Sequence, residues 1–128
     1  EAVVEWGYHH IGVLATEATV RTRMYKERVH ILDNSVIVEE ISAPGLVPLI
    51  ERGIVSWSEI DTLLREYLSQ FSPDIEALVL GCTHYPLIRE SIESIWKEVH
   101  NKKIPALIDP GVESAKKFWI WMKKKLLN

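Results

Sequence analysis

The 128-residue chain has a single cysteine, Cys82. An internal disulfide is therefore excluded, and a lone thiol sets a reducing cytoplasm as the default compartment. Long apolar runs are missing too: stretches such as Ala77 to Leu80 hold a handful of residues, against the roughly 20 that cross a bilayer. A membrane span is excluded on that ground. The N-terminus, Glu1-Ala2-Val3-Val4-Glu5, has no basic region ahead of an apolar one, so it does not read as a secretion signal. An initiator methionine is absent as well, which points to a chain processed or cut from something longer. Glycine is sparse at 6 residues, and Gly12 stands alone, so no Gly-rich phosphate loop is present; neither is a Gly-x-Ser-x-Gly hydrolase turn. Nor does one sign of charge dominate, with 15 Lys and Arg against 18 Asp and Glu interleaved along the chain. That leaves no electrostatic footprint for nucleic acid. The tail is the exception, where Lys116, Lys117, Lys123, Lys124 and Lys125 follow the last acid, Glu113. A lysine-rich final helix reads as a solvated face that complements the helix dipole. What is present, 47% apolar and 26% charged residues, describes one ordinary soluble domain that reaches stability without disulfides or a structural metal.

Short β-branched runs alternate with segments of helical period, the sequence form of an α/β domain. His10 to Leu14 reads as a buried strand, followed after Thr16-Glu17-Ala18-Thr19 by one helix carrying Val20, Met24 and Val29 on a common face. Ser35 to Ile41 is a second strand, ended by Pro44 and Gly45. Leu46 to Glu51 forms a short helical turn closed by Gly53, a residue suited to a helix C-terminus. Ser56 with Glu59 makes a capping box for a helix bearing Ile60, Leu63, Leu64, Tyr67, Leu68 and Phe71, with Pro73 ending it. Ala77 to Leu80 is a third strand, leading through Gly81-Cys82-Thr83-His84-Tyr85-Pro86 into a helix with Ile88, Ile92, Ile95, Trp96 and Val99 on one face. Pro105 to Ile108 is a fourth strand, and the final helix carries Val112, Ala115, Phe118, Trp119 and Met122 as its stripe. This order calls for a mainly parallel sheet with helices on both faces.

Cys82 falls just past the end of a central strand and ahead of a helix. In open α/β sheets ligands bind there, and a helix N-terminus favours a thiolate. Thr83 and His84 follow directly, so a nucleophile or base, a hydroxyl and an imidazole occupy three consecutive positions. The competing readings are structural: free cysteine is among the most buried residue types, and a loop histidine is commonly satisfied by its own neighbours. A metal site would need three or four ligands at short spacing, whereas His9, His10, His30 and His100 are scattered and the adjacent pair would point to opposite faces of a strand. No metal is expected.

The run Gly81-Cys82-Thr83-His84-Tyr85-Pro86-Leu87, preceded by Ala77-Leu78-Val79-Leu80, resembles the second catalytic-cysteine motif of glutamate racemases, within the aspartate/glutamate racemase superfamily. Two further segments match in order. Ile11 to Val20 resembles the strand and Thr-x-x-Thr segment of these enzymes, and Val47-Pro48-Leu49-Ile50-Glu51 their Val-Pro-Leu-Ile-Glu segment. With Ile108-Asp109-Pro110-Gly111 included, the resemblance covers nearly the whole chain; the loop Ser42-Ala43-Pro44 departs from it, Ala-Cys-Pro being common there. The resemblance implies the C-terminal half of a two-domain racemase, in which glutamate is bound between domains and its Cα proton is moved without a cofactor by two thiols on opposite faces. It makes Cys82 the base for one enantiomer and the acid for the other, with His84 assisting proton transfer. Thr83, Thr16 and Thr19 would contact substrate, and Glu51 would act behind them as a further acid. From sequence alone Glu51 is equally well a solvated glutamate near a helix end, and Thr16 equally well a helix cap.

The Asp-Ser, Pro-Tyr-Gly and Cys-Asn-Thr segments that such enzymes carry upstream of the Ile11 strand do not occur in this sequence. The resemblance accordingly divides the chain into residues 1–104, an α/β domain, and residues 105–128, a strand and helix that would cross back to the first domain and would have lost their partners here. The apolar stripe of the final helix would then be exposed, repacked or covered by a second copy. Three readings follow: a glutamate racemase fragment serving peptidoglycan synthesis in its parent and inactive or nearly so alone; a related racemase or isomerase of another small acid such as aspartate; and a non-catalytic module that binds a partner through the uncovered tail. The first takes precedence.

Overall fold

The computed structural model describes residues 7–53 and 57–111. In chain order they form strand β1 (His10–Ala15), helices α1 (Glu17–Thr22) and α2 (Met24–Leu32), strand β2 (Ile37–Ser42), helices α3 (Leu46–Arg52) and α4 (Trp57–Leu68), and strand β3 (Ala77–Leu80). A 3₁₀ turn (Tyr85–Ile88), helix α5 (Arg89–His100) and strand β4 (Ala106–Ile108) complete them. The strands pair in the order β2-β1-β3-β4, and every pairing is parallel. Parallel neighbours require crossover connections, which the intervening helices supply.

Alternation along the strands divides the core. Ile11, Val13 and Ala15 of β1 face one side together with Ala77 and Val79 of β3, and α2 covers them with Val29 and the partly buried Tyr25. Leu14, Leu78 and Leu80 face the other side, under Leu46, Ile50, Leu64, Leu68, Ile92 and Trp96 of α3, α4 and α5. This is the helix-on-both-faces arrangement expected from the sequence, and the period-two switch of side is why a continuous apolar run works as a doubly covered strand. Gly12 lies on the second side, where a Cβ would come 2.7 Å from Phe71 Cε1 and 2.9 Å from Ile75 Cδ1. Phe71 takes that space from beyond the end of α4, which stops at Leu68, short of Pro73.

Several sequence expectations change in detail. The single helix expected to carry Val20, Met24 and Val29 is two helices, broken at Arg23, whose φ of 56° is left-handed. Thr22 gives the local reason: its hydroxyl donates to Thr19 O at 2.6 Å and accepts from Met24 N at 3.3 Å, competing with the backbone ladder. Met24 is 38% exposed as a result, leaving the shared face. The helix expected directly after the cysteine loop starts only at Arg89, with the 3₁₀ turn between. Cys82 therefore lies seven residues ahead of α5 in the chain. The strand at Ala106–Ile108, expected to have lost its partner, hydrogen-bonds along β3 in the register Ala77↔Ala106 to Val79↔Ile108. Ser56 of the expected capping box and the expected final helix from Val112 on, with Phe118, Trp119 and Met122, lie outside the described residues. Among the described residues no helix is long and apolar enough to cross a membrane.

At the opposite end of the sheet from the strands' carboxyl ends, Glu76 Oε1 accepts the backbone N–H of His9 at 2.7 Å and of His10 at 3.0 Å. These bonds hold its carboxyl below the usual range. A depressed folded-state pKa stabilises above the unfolded value, near 4.3, and that stabilisation is lost as pH falls through the folded value. Glu76→Gln keeps an acceptor but no charge. The variant is expected to melt below the parent at pH 7, with the difference shrinking as pH falls below the unfolded value and through the folded one, as thermal melts at descending pH would show.

Candidate active site

The chain turns from β1 outward to β2, and from β3 in the other direction to β4. Their loops therefore part at the carboxyl ends of the two central strands, the switch point where open α/β sheets form a ligand crevice. Gly81 extends the ladder one residue past β3, its N–H donating to Leu14 O at 2.8 Å. The strands approach so closely that a Cβ on Gly81 would sit 3.0 Å from Ala15 Cβ and 3.2 Å from Tyr25 Cε2. Cys82 follows immediately, half-buried, with its side chain packed on the larger core cluster.

A chain of three side chains runs outward from it. Cys82 Sγ lies 3.8 Å from His84 Nδ1, and His84 Nε2 lies 3.3 Å from Glu51 Oε1. Glu51 reaches His84 from α3, so the contact joins the segments after β2 and after β3. With its side chain 61% exposed and that of His84 35% exposed, the pair sits in water on the crevice side. Such a sequence of thiol, imidazole and carboxylate can pass a proton to and from sulfur and fix the imidazole's orientation. Thr83 is exposed, and among the described residues no acceptor faces the N–H groups of Cys82, Thr83 and His84. These donors suit a carboxylate.

From the β1 side, Thr16 caps α1: its hydroxyl accepts from Thr19 N at 3.3 Å and donates to Thr19 Oγ1 at 3.1 Å. The capping reading of Thr16 is thus realised. Of the residues singled out from sequence, Cys82, His84 and Glu51 form one contact chain and Thr16 and Thr19 another, on neighbouring loops of the same crevice. Two tyrosines were not among them. Tyr25 reaches Gly81 because of the break at Arg23, which no periodicity signalled; burial pushes its hydroxyl's pKa up. Tyr85 is fully buried beneath the loop, and its hydroxyl is pushed further up by burial and by the nearby Cys82. Three of the other four histidines are engaged elsewhere: His10 with Glu39 at 2.5 Å, His30 with Val36 O at 2.9 Å, and His100 with Leu68 O at 2.8 Å. Among the described residues no group of three His, Cys, Asp or Glu could hold a metal ion.

No family model matches the chain. In sequence and in fold it is similar to glutamate racemases. It is 36% identical over 118 residues to the glutamate racemase of Carboxydothermus hydrogenoformans, covering 91% of this chain and 42% of that protein. The structure of a glutamate racemase isoform from Bacillus anthracis superposes with a TM-score of 0.78 at 26% identity, over 97% of this chain and 46% of that one. A glutamate racemase from Francisella tularensis, solved in complex with D-glutamate, gives 0.76 at 33% identity, over 94% and 44%. The chain thus spans about two fifths of the length of the curated relatives it matches.

Proposed function

We propose that this chain provides one of the two half-sites of a cofactor-independent glutamate racemase and corresponds to the C-terminal portion of such an enzyme. The observation that carries the reading is the contact chain from Cys82 through His84 to Glu51 at the crevice between β1 and β3, in a chain similar to glutamate racemases. The Cα proton of an amino acid is very weakly acidic. Removing it requires a base held against the carbon and donors that stabilise the charge developing on the carboxylate. In this reading the Cys82 thiolate takes the proton from one face of glutamate, or its thiol returns it. His84 handles the proton at sulfur, and Glu51 holds the imidazole. Thr83, with the N–H groups around it, and the hydroxyl of Thr19 grip the amino acid end; Thr16 holds Thr19 in place. Inversion needs a second acid–base group on the opposite face, and this sequence has one cysteine. The second thiol therefore comes from outside these 128 residues, so the chain alone is expected to leave the enantiomer ratio unchanged. Supply of D-glutamate for peptidoglycan in the cytoplasm is the role that follows.

The test is a chimera in which this chain replaces the matched segment of the Carboxydothermus hydrogenoformans racemase. Proton NMR in heavy water would follow the Cα signal of L- and D-glutamate together with the enantiomer ratio, with aspartate run in parallel. Exchange coupled to inversion of glutamate supports the proposal. A folded chimera that inverts aspartate but not glutamate moves the substrate assignment, and one that exchanges neither overturns it.

A further inference from the structure

Gly81 is a glycine for a reason that its backbone does not supply. The described glycines with left-handed φ are Gly7, Gly45 and Gly53, so the conformation at Gly81 is open to residues with a side chain. What the position lacks is room. A Cβ there would lie 3.0 Å from Ala15 Cβ, 3.1 Å from Leu14 O and 3.2 Å from Tyr25 Cε2, whereas Cβ atoms facing each other across paired strands ordinarily sit about 4.5–5.5 Å apart. The neighbours differ in what they can yield. The Tyr25 ring is the end of a partly buried side chain and can swing. Ala15 cannot, because it is fully buried and its carbonyl accepts Ala43 N–H at 2.9 Å, which ties it to the chain leaving β2. The carboxyl ends of β1 and β3 are therefore pinched together at Ala15 and Gly81. One residue further on stand Thr16 on one side and Cys82 on the other.

We propose that Gly81 and Ala15 are positioning residues: their close approach, with no side chain between them, sets the separation of Cys82 from the Thr16–Thr19 cap. What that separation is for rests on the proposed function, in which the thiol must meet the Cα of an amino acid held in part from the Thr19 side. A displacement of about 1 Å between a reacting group and the groups that hold its substrate can cost about 100-fold in rate. A methyl group on Gly81 would leave each loop whole, since the contact of Cys82 with His84 lies within one loop and the bonds of Thr16 with Thr19 within the other. Only their separation would change.

The test measures that separation chemically. The chain has one cysteine, so Thr16→Cys allows a single intramolecular disulfide, with Cys82, which closes only where the two Cα atoms come within about 7 Å. It is expected to form under mild oxidation. Adding Gly81→Ala should slow closure about tenfold, and adding Ala15→Gly as well should restore it to within about threefold. If loss of the Thr16 cap unfolds the chain, Thr19→Cys, which keeps the cap, replaces it in the same series. Alkylation of Cys82 by iodoacetamide in Gly81→Ala alone should match the parent within about twofold, so that slower closure reports distance and not a less reactive thiol. In the racemase chimera Gly81→Ala should lower kcat by about 10- to 100-fold with little change in KM, and Ala15→Gly should recover it. Closure that Gly81→Ala leaves unchanged, closure that Ala15→Gly does not restore, an equal loss in alkylation, or no disulfide in either cysteine variant overturns the proposal. Closure is read on this chain alone, so its outcome is separate from that of the racemase reading, which the unmodified chimera tests through inversion.

Discussion

Replacing Cys82 by serine in the racemase chimera is expected to lower interconversion of L- and D-glutamate by about 100- to 10,000-fold, the range associated with loss of a positioned acid–base group. Serine conserves shape, and the loop is held by Gly81 N–H to Leu14 O and Tyr85 N–H to Cys82 O, neither of which involves the sulfur. The backbone is therefore unaffected and the melting temperature should not move. What changes is the chemistry: an alkoxide is far harder to form at neutral pH than a thiolate, so the serine variant presents no base to the Cα proton. Both directions of the reaction should fall together, because the same atom removes the proton from one enantiomer and delivers it to the other. Measuring initial rates from each enantiomer by polarimetry would show this. Rates within tenfold of the parent would place the reacting group elsewhere.

The largest expected loss of stability comes from Trp96→Ala. Trp96 is 0% exposed on α5, with its ring centroid 4.1 Å from that of His100 and 6.4 Å from that of Phe71. Phe71 in turn fills the space over Gly12 on β1, so the indole is the back wall of the contact between α5 and the central strand. Truncation leaves a cavity that the neighbouring rings cannot collapse into without vacating their own sites, and should cost about 3–5 kcal/mol. Denaturant unfolding followed by far-UV circular dichroism would measure it. The indole N–H is buried without a partner, so Trp96→Phe removes an unsatisfied donor along with part of the volume and should cost clearly less than alanine. Equal costs for the two variants would mean that the indole's size is not what the core uses.

Much of this molecule was written locally. The β-branched runs at His10 to Leu14 and Ala77 to Leu80, the glycine after Leu46 to Glu51 and the stripe Ile92, Ile95, Trp96 each needed only their own neighbours to declare an element, because periodicity and end residues are local properties. The sequence also marked Cys82, Thr83 and His84 as a group, since they are consecutive. Three features were not legible in that way. The break between α1 and α2 arises from a threonine hydroxyl competing with the ladder, a competition that composition does not reveal. The contact of Glu51 with His84 spans 33 positions and exists because the sheet order sets the ends of β2 and β3 on either side of β1. The unpartnered hydroxyl of Tyr85 is visible only once burial is known. By itself, then, the sequence determined an α/β domain, its elements and the residue types able to move a proton. Tertiary structure alone decided that β1 and β3 lie side by side with their loops diverging, because parallel strands are joined only through crossovers. That places Cys82, His84 and Glu51 beside Thr16 and Thr19, at the one end of the sheet where the carboxyl ends of the strands leave an opening.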